Sequence, residues 1–400
     1  MNATITLDLI GTSTGSFNIY QNSDSYATAV ATGVSSSSLL SGYSATLDNA
    51  TTTVRVYSTG TCTNYKDIPV NFGDTTPTFS YRGLQTLDSS TGVSDTNIVH
   101  DGDQTVIASA NNVGVYVSTN LGTSWTDVTN QMPTNDFSMQ IYSPSDDYFY
   151  FMGYGGAQTK YQNGGSFSSH SNNISLPGSE TIWGYFYHNN AYYVATTSSL
   201  LRSTDNVNYT TVFNLTYSSY KFLLDHLKGY GNTVYFSTGK EIIKSTDNGL
   251  NWSSLYGTST ANAVDNIYVE NANKVLYRDS GGSRFYYTTN GSTFFQSGFR
   301  TTTSGNLNNA ATIIKYGPTY IFNNHTYDLV WTTSDPFSST TPTVNNISSS
   351  VQVLTPPATN ALRTNVFHAA IVGKRLFYSG FLNTSSTDST NLVYFDINSN

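Results

Sequence analysis

The sequence predicts an all-β chain, a β-propeller behind a small immunoglobulin-like or fibronectin-like β-sandwich, and three observations predict it. A short turn segment returns six times along the 400 residues, its copies starting 43, 42, 42, 43 and 44 residues apart. Between the copies, apolar residues alternate with period two in short runs parted by Gly and Asn, the pattern of strands joined by hairpins. The composition is that of strands and turns. Tyr contributes 31 residues, Phe 21 and Gly 31, while charged residues make up only 10%, against about 25% in an ordinary soluble domain. Of the 25 acidic residues only Glu180, Glu241 and Glu270 are glutamate, which argues against long helices and coiled coils. Aromatics at 14% supply enough apolar surface for a core and argue against disorder.

Residues 1–72 fall outside the repeat and read as the sandwich. Their strands are Thr4-Ile-Thr-Leu-Asp-Leu-Ile10, Ser16-Phe-Asn-Ile-Tyr20, Tyr26-Ala-Thr-Ala-Val30 and Thr51-Thr-Thr-Val-Arg-Val-Tyr57, and Tyr65-Lys-Asp-Ile-Pro-Val-Asn-Phe72 leads out. Ser36-Ser-Ser-Ser-Leu-Leu-Ser41 reads as a helical turn or loop, and Gly73-Asp-Thr-Thr-Pro77 as linker within residues 73–79. Cys62, a lone cysteine, is read as a small hydrophobe in a strand.

Residues 80–400 carry the repeat. Its copies are Ser118-Thr-Asn-Leu-Gly-Thr-Ser-Trp125, Tyr161-Gln-Asn-Gly-Gly-Ser-Phe167, Ser203-Thr-Asp-Asn-Val-Asn-Tyr209, Ser245-Thr-Asp-Asn-Gly-Leu-Asn-Trp252, Thr288-Thr-Asn-Gly-Ser-Thr-Phe294 and a worn Thr332-Thr-Ser-Asp-Pro-Phe337. Strand runs flank each copy, as in Ala191-Tyr-Tyr-Val-Ala-Thr, Leu200-Leu-Arg, motif, Tyr209-Thr-Thr-Val-Phe213. Three or four strands in about 43 residues make one propeller blade. A further repeat fits in the tail, in Val366–Val372, Arg375–Ser379 and Asn391–Phe395. Thr78-Phe-Ser-Tyr81 is the candidate for its missing outer strand, a closure that removes the sheet edge. Seven blades is the preferred count and six the alternative.

The copies resemble the Asp box, S-x-D-x-G-x-x-W, of the BNR repeat of sialidases and other propellers. The resemblance rests on Ser118, Asn120, Gly122 and Trp125; on Ser203, Asp205 and Tyr209; on Ser245, Asp247, Gly249 and Trp252; and on Asn290 and Phe294. It implies a structural role. The Asp or Asn accepts backbone N–H groups in the turn, Gly takes a positive φ, and the aromatic packs between blade sheets.

Catalytic constellations are scarce. The sialidase resemblance calls for three arginines around a carboxylate, a Tyr–Glu pair and an acidic acid/base. Tyr81-Arg82-Gly83-Leu84 stands where its first arginine motif belongs, but without Ile-Pro, and Arg82 reads as a surface or blade-closing residue. Asp101-Gly-Asp103 and Asp146-Asp147 read as turns rather than a glycosidase pair or a calcium loop. His100, His170, His188, His226, His325 and His368 show no metal spacing, and no phosphate loop or nucleophile motif appears. No cofactor or metal is expected. Trp183-Gly-Tyr-Phe-Tyr187 and Tyr148-Phe-Tyr-Phe151 suit sugar stacking, though buried strands read the same way.

A net charge of -8 with no basic stripe disfavours nucleic acid, and no apolar run approaches a membrane span. The N-terminus lacks the features of a secretory signal, while the hydroxyl-rich, lysine-poor surface is that of an exposed protein. The runs ITLDLIGTSTGSFNIYQNSDSYATAVATGVSSSSLLSGY and TTTVRVYSTGTCTNYKDI resemble a small N-terminal domain of tailed-phage structural proteins. That resemblance implies attachment to other virion proteins through residues 1–72, and a virion-surface location reached by host lysis. The expectation is a non-enzymatic head or tail fibre or decoration, a homo-oligomer displaying a glycan-binding propeller. The alternatives are a virion-associated glycosidase and an architectural baseplate or capsid component.

Overall fold

The computed structural model describes residues 2–5, 15–48, 51, 53–60, 64–69, 78–88, 96–110, 113–132, 139–153, 155–170, 180–215, 226–257, 264–279, 284–298, 310–317, 319–324, 330–333, 336–340, 345–346, 362–363, 368–384 and 387–398. Cys62, His325 and the linker Gly73–Pro77 lie outside the described residues. The chain divides into two compact units, Met1–Thr75 and Thr76–Asn400.

The first unit is a small β-sandwich. Asn2–Ile5 pairs with Tyr43–Thr46, and a four-stranded antiparallel sheet orders Ala29–Val34, Phe17–Gln21, Thr53–Ser58 and Tyr65–Pro69. Alternation sorts the faces: Ile19, Val54 and Val56 point inward onto Ile5, Leu39 and Ala45. Ser36–Ser41 is a short α-helix whose first turn is capped by Ser35 Oγ, accepting from Ser38 N–H at 3.1 Å. On the outer face the Arg55 guanidinium lies between the rings of Tyr26 and Tyr65, 4.1 and 3.8 Å from their centroids, and pairs with Asp67 at 2.7 Å.

The second unit is the propeller. Among the described residues, six four-stranded antiparallel sheets follow the chain outward from the axis. Their innermost strands are Thr96–His100, Met139–Ser143, Ile182–His188, Leu227–Tyr230, Val264–Asn271 and Ala310–Tyr316. The seventh sheet runs Ala369–Val372, Arg375–Thr384, Thr387–Asn398 and then Thr78–Asp88, with Leu362–Arg363 paired to the far end of Arg375–Thr384. The outer strand therefore comes from the start of the unit. It is longer than the four residues legible in the sequence, because Gly83 interrupts the apolar pattern without interrupting the pairing, which continues from Asn398↔Thr78 to Thr390↔Asp88. Each innermost strand touches the next, and Ala369–Val372 meets Thr96–His100, so the ring closes.

The core is not central. It is divided into seven clusters, one in each gap between neighbouring blades. Between blades 3 and 4, for example, Phe186, Tyr193 and Leu200 meet Val234, Phe236 and Ile243. Both faces of each sheet are covered, which is why the strands read as near-continuous aromatic and β-branched runs. The two aromatic clusters considered for sugar binding belong mostly here. Phe149, Tyr150, Phe151, Tyr185 and Phe186 are buried, and of the two clusters Phe186 and Tyr187 line the axis.

Candidate functional site

Antiparallel order puts the turns after the first and third strands of the first six blades at one end of the propeller. The repeated segments are those third-to-fourth-strand turns. In blade 4, Ser245 Oγ donates to Asp247 Oδ1 at 2.7 Å and accepts from Gly249 N–H at 2.8 Å. Asp247 also accepts from the N–H groups of Leu250 and Asn251, at 3.1 and 2.9 Å, and from the Asn251 side chain at 2.7 Å. Blade 3 repeats this with Ser203, Asp205, Val207 and Asn208, and Asn120 and Asn290 take the same place in blades 1 and 5. Asn251, through its side chain and then its backbone N–H, holds the Asp247 carboxyl well below the usual carboxylate range. Asn208 does so for Asp205, backbone first.

These turns also bind blade to blade. Leu121, Asn248 and Gly291 adopt the left-handed conformation, with φ of 55°, 57° and 68°. Each donates its N–H to the first turn of its own blade, at Gln104, Asn232 and Asn273. Each carbonyl then accepts from a cation of the preceding blade: Leu121 from Arg375, Asn248 from Arg202 at 2.7 Å, and Gly291 from Lys244 at 3.0 Å. Arg202 and Lys244, which stand directly before their repeats in the sequence, thus join consecutive blades. In blade 2, Asn163 bridges Asp101 and Thr105 of blade 1 to Asp147 of its own blade. The terminal aromatics follow suit. Trp125 packs edge-on to Phe377 of blade 7 at 6.4 Å, and Trp252 edge-on to Tyr193 of blade 3 at 6.4 Å, while Phe294 packs on Tyr277 of its own blade at 5.2 Å.

The acidic candidates are committed to structure. Asp101 closes an Asx turn onto Asp103 and Thr105 N–H; Asp146 and Asp147 accept from Tyr150 and Tyr142. Arg82 pairs with Asp396 on the outer strands of the closing blade, where Asp396 also pairs with Arg375 at 2.8 Å, away from the axis. Glu180 accepts from Thr196 and Ser198, and Glu241 from Ser254. Burial opposes the charge on Glu270, yet Lys274, Lys315 and Tyr320 hold its carboxyl down at about 2. Among the described residues no group of three His, Cys, Asp or Glu is placed to hold a metal, and no helix is long and apolar enough to cross a membrane.

The axis itself is a cavity of about 580 Å³ lined by the innermost strands of all seven blades, within the usual range of ligand pockets. Its middle is apolar, with Ile98, Ile141, Phe186, Leu227, Val269 and Ile314; its turn end carries His100, Tyr142, His188, Lys228 and Lys315. At the other end His368 Nδ1 accepts from Ile98 N–H at 3.2 Å, joining blade 7 to blade 1 and leaving the proton on Nε2. The His188 ring lies over Gly229, where a Cβ would come within 2.4 Å of Nε2, and meets the Gly231 carbonyl at 2.8 Å. These channel residues were missed as a group in the sequence, since each blade contributes only one or two polar side chains from a single strand.

Burial pushes the His188 imidazole below its ordinary 6.5, against the Gly231 carbonyl. Burial, reinforced by Lys228 and opposed by Asp101, does the same to His100. Both therefore take up protons in the unfolded chain near pH 6.5 and in the folded chain only lower, so stability falls as pH drops through that window. Glu270 adds a second loss below its ordinary 4.5. A melting temperature measured from pH 8 to 3 should fall from about 6.5 downward and more steeply below about 4.5. His100→Gln with His188→Gln should flatten the upper part, and a melting temperature that rises between pH 7 and 5.5 contradicts the assignment.

No family model matches the chain, and no curated protein matches it. Solved structures do. A streptogramin B lyase is 12% identical with a TM-score of 0.57, covering 79% of this chain and 98% of its own. YCF48 bound to D1 peptide is 10% identical with a TM-score of 0.55, covering 81% and 99%. The WD40 propeller domain of Doa1 is 10% identical with a TM-score of 0.53, covering 80% and 97%. At such identities the likeness is one of fold: the chain carries a β-propeller.

Proposed function

We propose that this chain is a non-enzymatic surface protein of a tailed-phage virion, a fibre or decoration whose propeller binds glycans and whose first unit attaches it to other virion proteins. In this reading the repeated turns are Asp boxes of the BNR type, serving structure rather than chemistry. The observation that carries it is the axial cavity. It offers aromatic, amide and imidazole groups that suit sugar faces and hydroxyls, with Gln140, Tyr142, Tyr187, Tyr268 and Thr312 on its wall. The three glutamates, meanwhile, are held by neighbours instead of standing as an acid and base pair. The hydroxyl-rich composition and the phage-like pattern of residues 1–72 supply the setting.

A glycan array probed with the full chain, paired with a reducing-sugar release assay on each bound glycan, tests this reading. Binding without turnover is the expected result. Turnover would overturn the non-enzymatic reading. Absence of binding across the array, with the protein found in a symmetric internal contact of a virion reconstruction, would replace it with an architectural role.

A further inference from the structure

Asn precedes Gly at three places in the chain, Asn163-Gly164, Asn248-Gly249 and Asn290-Gly291, and all three lie in the repeated turns. In such a pair the backbone nitrogen of the glycine can attack the Asn side-chain carbonyl, a step that the missing Cβ leaves sterically open. Two of these nitrogens are held. Gly249 is buried, and its N–H donates to Ser245 Oγ at 2.8 Å. Gly291 is buried, and its N–H donates to Thr288 Oγ1 at 3.0 Å and to the Asn273 carbonyl at 2.8 Å. Blade 2 departs from this pattern at the first residue of its turn. Tyr161 stands where blades 4 and 5 have Ser245 and Thr288, and its ring packs on Phe149 and Phe167, so no hydroxyl sits beside the turn to accept the glycine N–H. Gly164 is exposed, nothing lies within 4 Å of where its Cβ would stand, and its N–H meets no acceptor among the described residues. The Asn side chains do not make the difference, since each is tied. Asn248 Nδ2 donates to the Asn189 carbonyl at 2.9 Å, and Asn290 Oδ1 accepts from the N–H groups of Ser292 and Thr293 at 3.0 and 2.9 Å. Asn163 Nδ2 donates to Asp101 Oδ2 at 3.0 Å and to Asp147 Oδ1 at 3.1 Å, while its Oδ1 accepts from Thr105 at 2.6 Å.

We propose that Asn163 is a deamidation site, the first of the three to convert in the folded protein, and that its conversion unfastens blade 2 from blade 1. Gly164 N forms a bond to Asn163 Cγ and gives up its proton. The Cγ–Nδ2 bond breaks, and the side-chain nitrogen leaves as ammonia. Water then opens the cyclic imide, at Cγ to give aspartate or at the main-chain carbonyl to give isoaspartate. Aspartate sets a carboxylate oxygen where the Nδ2 donor stood, between the carboxylates of Asp101 and Asp147. Two hydrogen bonds thereby become repulsion among three like charges. Isoaspartate also lengthens the main chain of the turn by one atom.

Peptide mapping by mass spectrometry of the full chain, kept folded in warm, mildly alkaline buffer and in parallel in denaturant, tests it. In the folded protein Asn163 should convert at least about fivefold faster than Asn248 or Asn290, since each of those turns must first release its glycine N–H from a hydrogen bond. In denaturant the three should convert at similar rates, because all are followed by glycine. Ser245→Ala removes the acceptor of Gly249 N–H and should speed conversion at Asn248 while leaving Asn163 unchanged. Asn163→Asp, the product written into the sequence, should lower the melting temperature by a few degrees. Conversion at Asn248 or Asn290 that matches Asn163 in the folded protein, or the same ranking in denaturant, overturns the site. An Asn163→Asp protein that melts with the parent overturns the loss of the joint. Should Ser245→Ala fail to fold, the comparison of folded and denatured parent still decides.

Discussion

A chain beginning at Thr76 should melt as the intact propeller does, whereas one beginning at Ser89 should lose its cooperative transition and aggregate. The two differ by the strand Thr78–Asp88, which pairs with Thr387–Asn398 and supplies the outer edge of the closing blade. Phe79 and Leu87 on it are 6% and 1% exposed, each worth roughly 1.5–3 kcal/mol of burial. The ladder itself and the Arg82–Asp396 pair add to that. The sum reaches about 5 kcal/mol, the lower end of the whole stability of a domain. Removing the strand also exposes the unpaired edge of a twelve-residue strand, Thr387–Asn398, a template for intermolecular pairing. The first unit has its own core, so its removal should cost the propeller little. Calorimetry and size-exclusion chromatography of the two truncations decide the matter. A chain from Ser89 that stays monomeric with an unshifted melting temperature would sink the closure argument.

That closure was legible because the tail of the sequence lacks one strand and the start of the propeller has one to spare. The blades were legible for a similar reason. A tight turn restricts its residue types, and six copies at one period set the repeat length. What the sequence could not display is what one blade does to the next. Nothing in Arg202 or Lys244 reveals that its partner is a backbone carbonyl in the following blade, because that carbonyl is made available by the conformation of Asn248 or Gly291 and not by its side chain. The channel was hidden in the same way. His100, His188, Lys228 and Lys315 belong to four separate blades, and only the circular arrangement of the strands brings them to one axis. Arg82 is the converse case: a position that echoed a catalytic motif proves to be half of an outer-strand ion pair, since its neighbour Asp396 comes from the other end of the chain.

Tyr193 tests the staple between blades most sharply. It is fully buried, its hydroxyl donates to the Asn248 carbonyl at 2.8 Å, and its ring meets Trp252 edge-on. Tyr193→Ala should cost about 3–5 kcal/mol through the lost burial and the cavity left between blades 3 and 4. The melting temperature should fall by roughly 6 to 10 °C. Tyr193→Phe should cost only about 1 kcal/mol, because Arg202 still donates to the same carbonyl. Gly249 supplies the control. Its φ is +77°, and a Cβ there would lie 2.4 Å from the Tyr193 ring, so Gly249→Ala carries both a conformational and a steric penalty. Vacating the ring relieves the second penalty and leaves the first. In a double-mutant cycle Gly249→Ala should therefore cost at least about 1 kcal/mol less beside Tyr193→Ala than alone. Strictly additive costs would mean that the turn and the neighbouring blade are not mechanically coupled, and the repeated segment would then serve only its own hairpin.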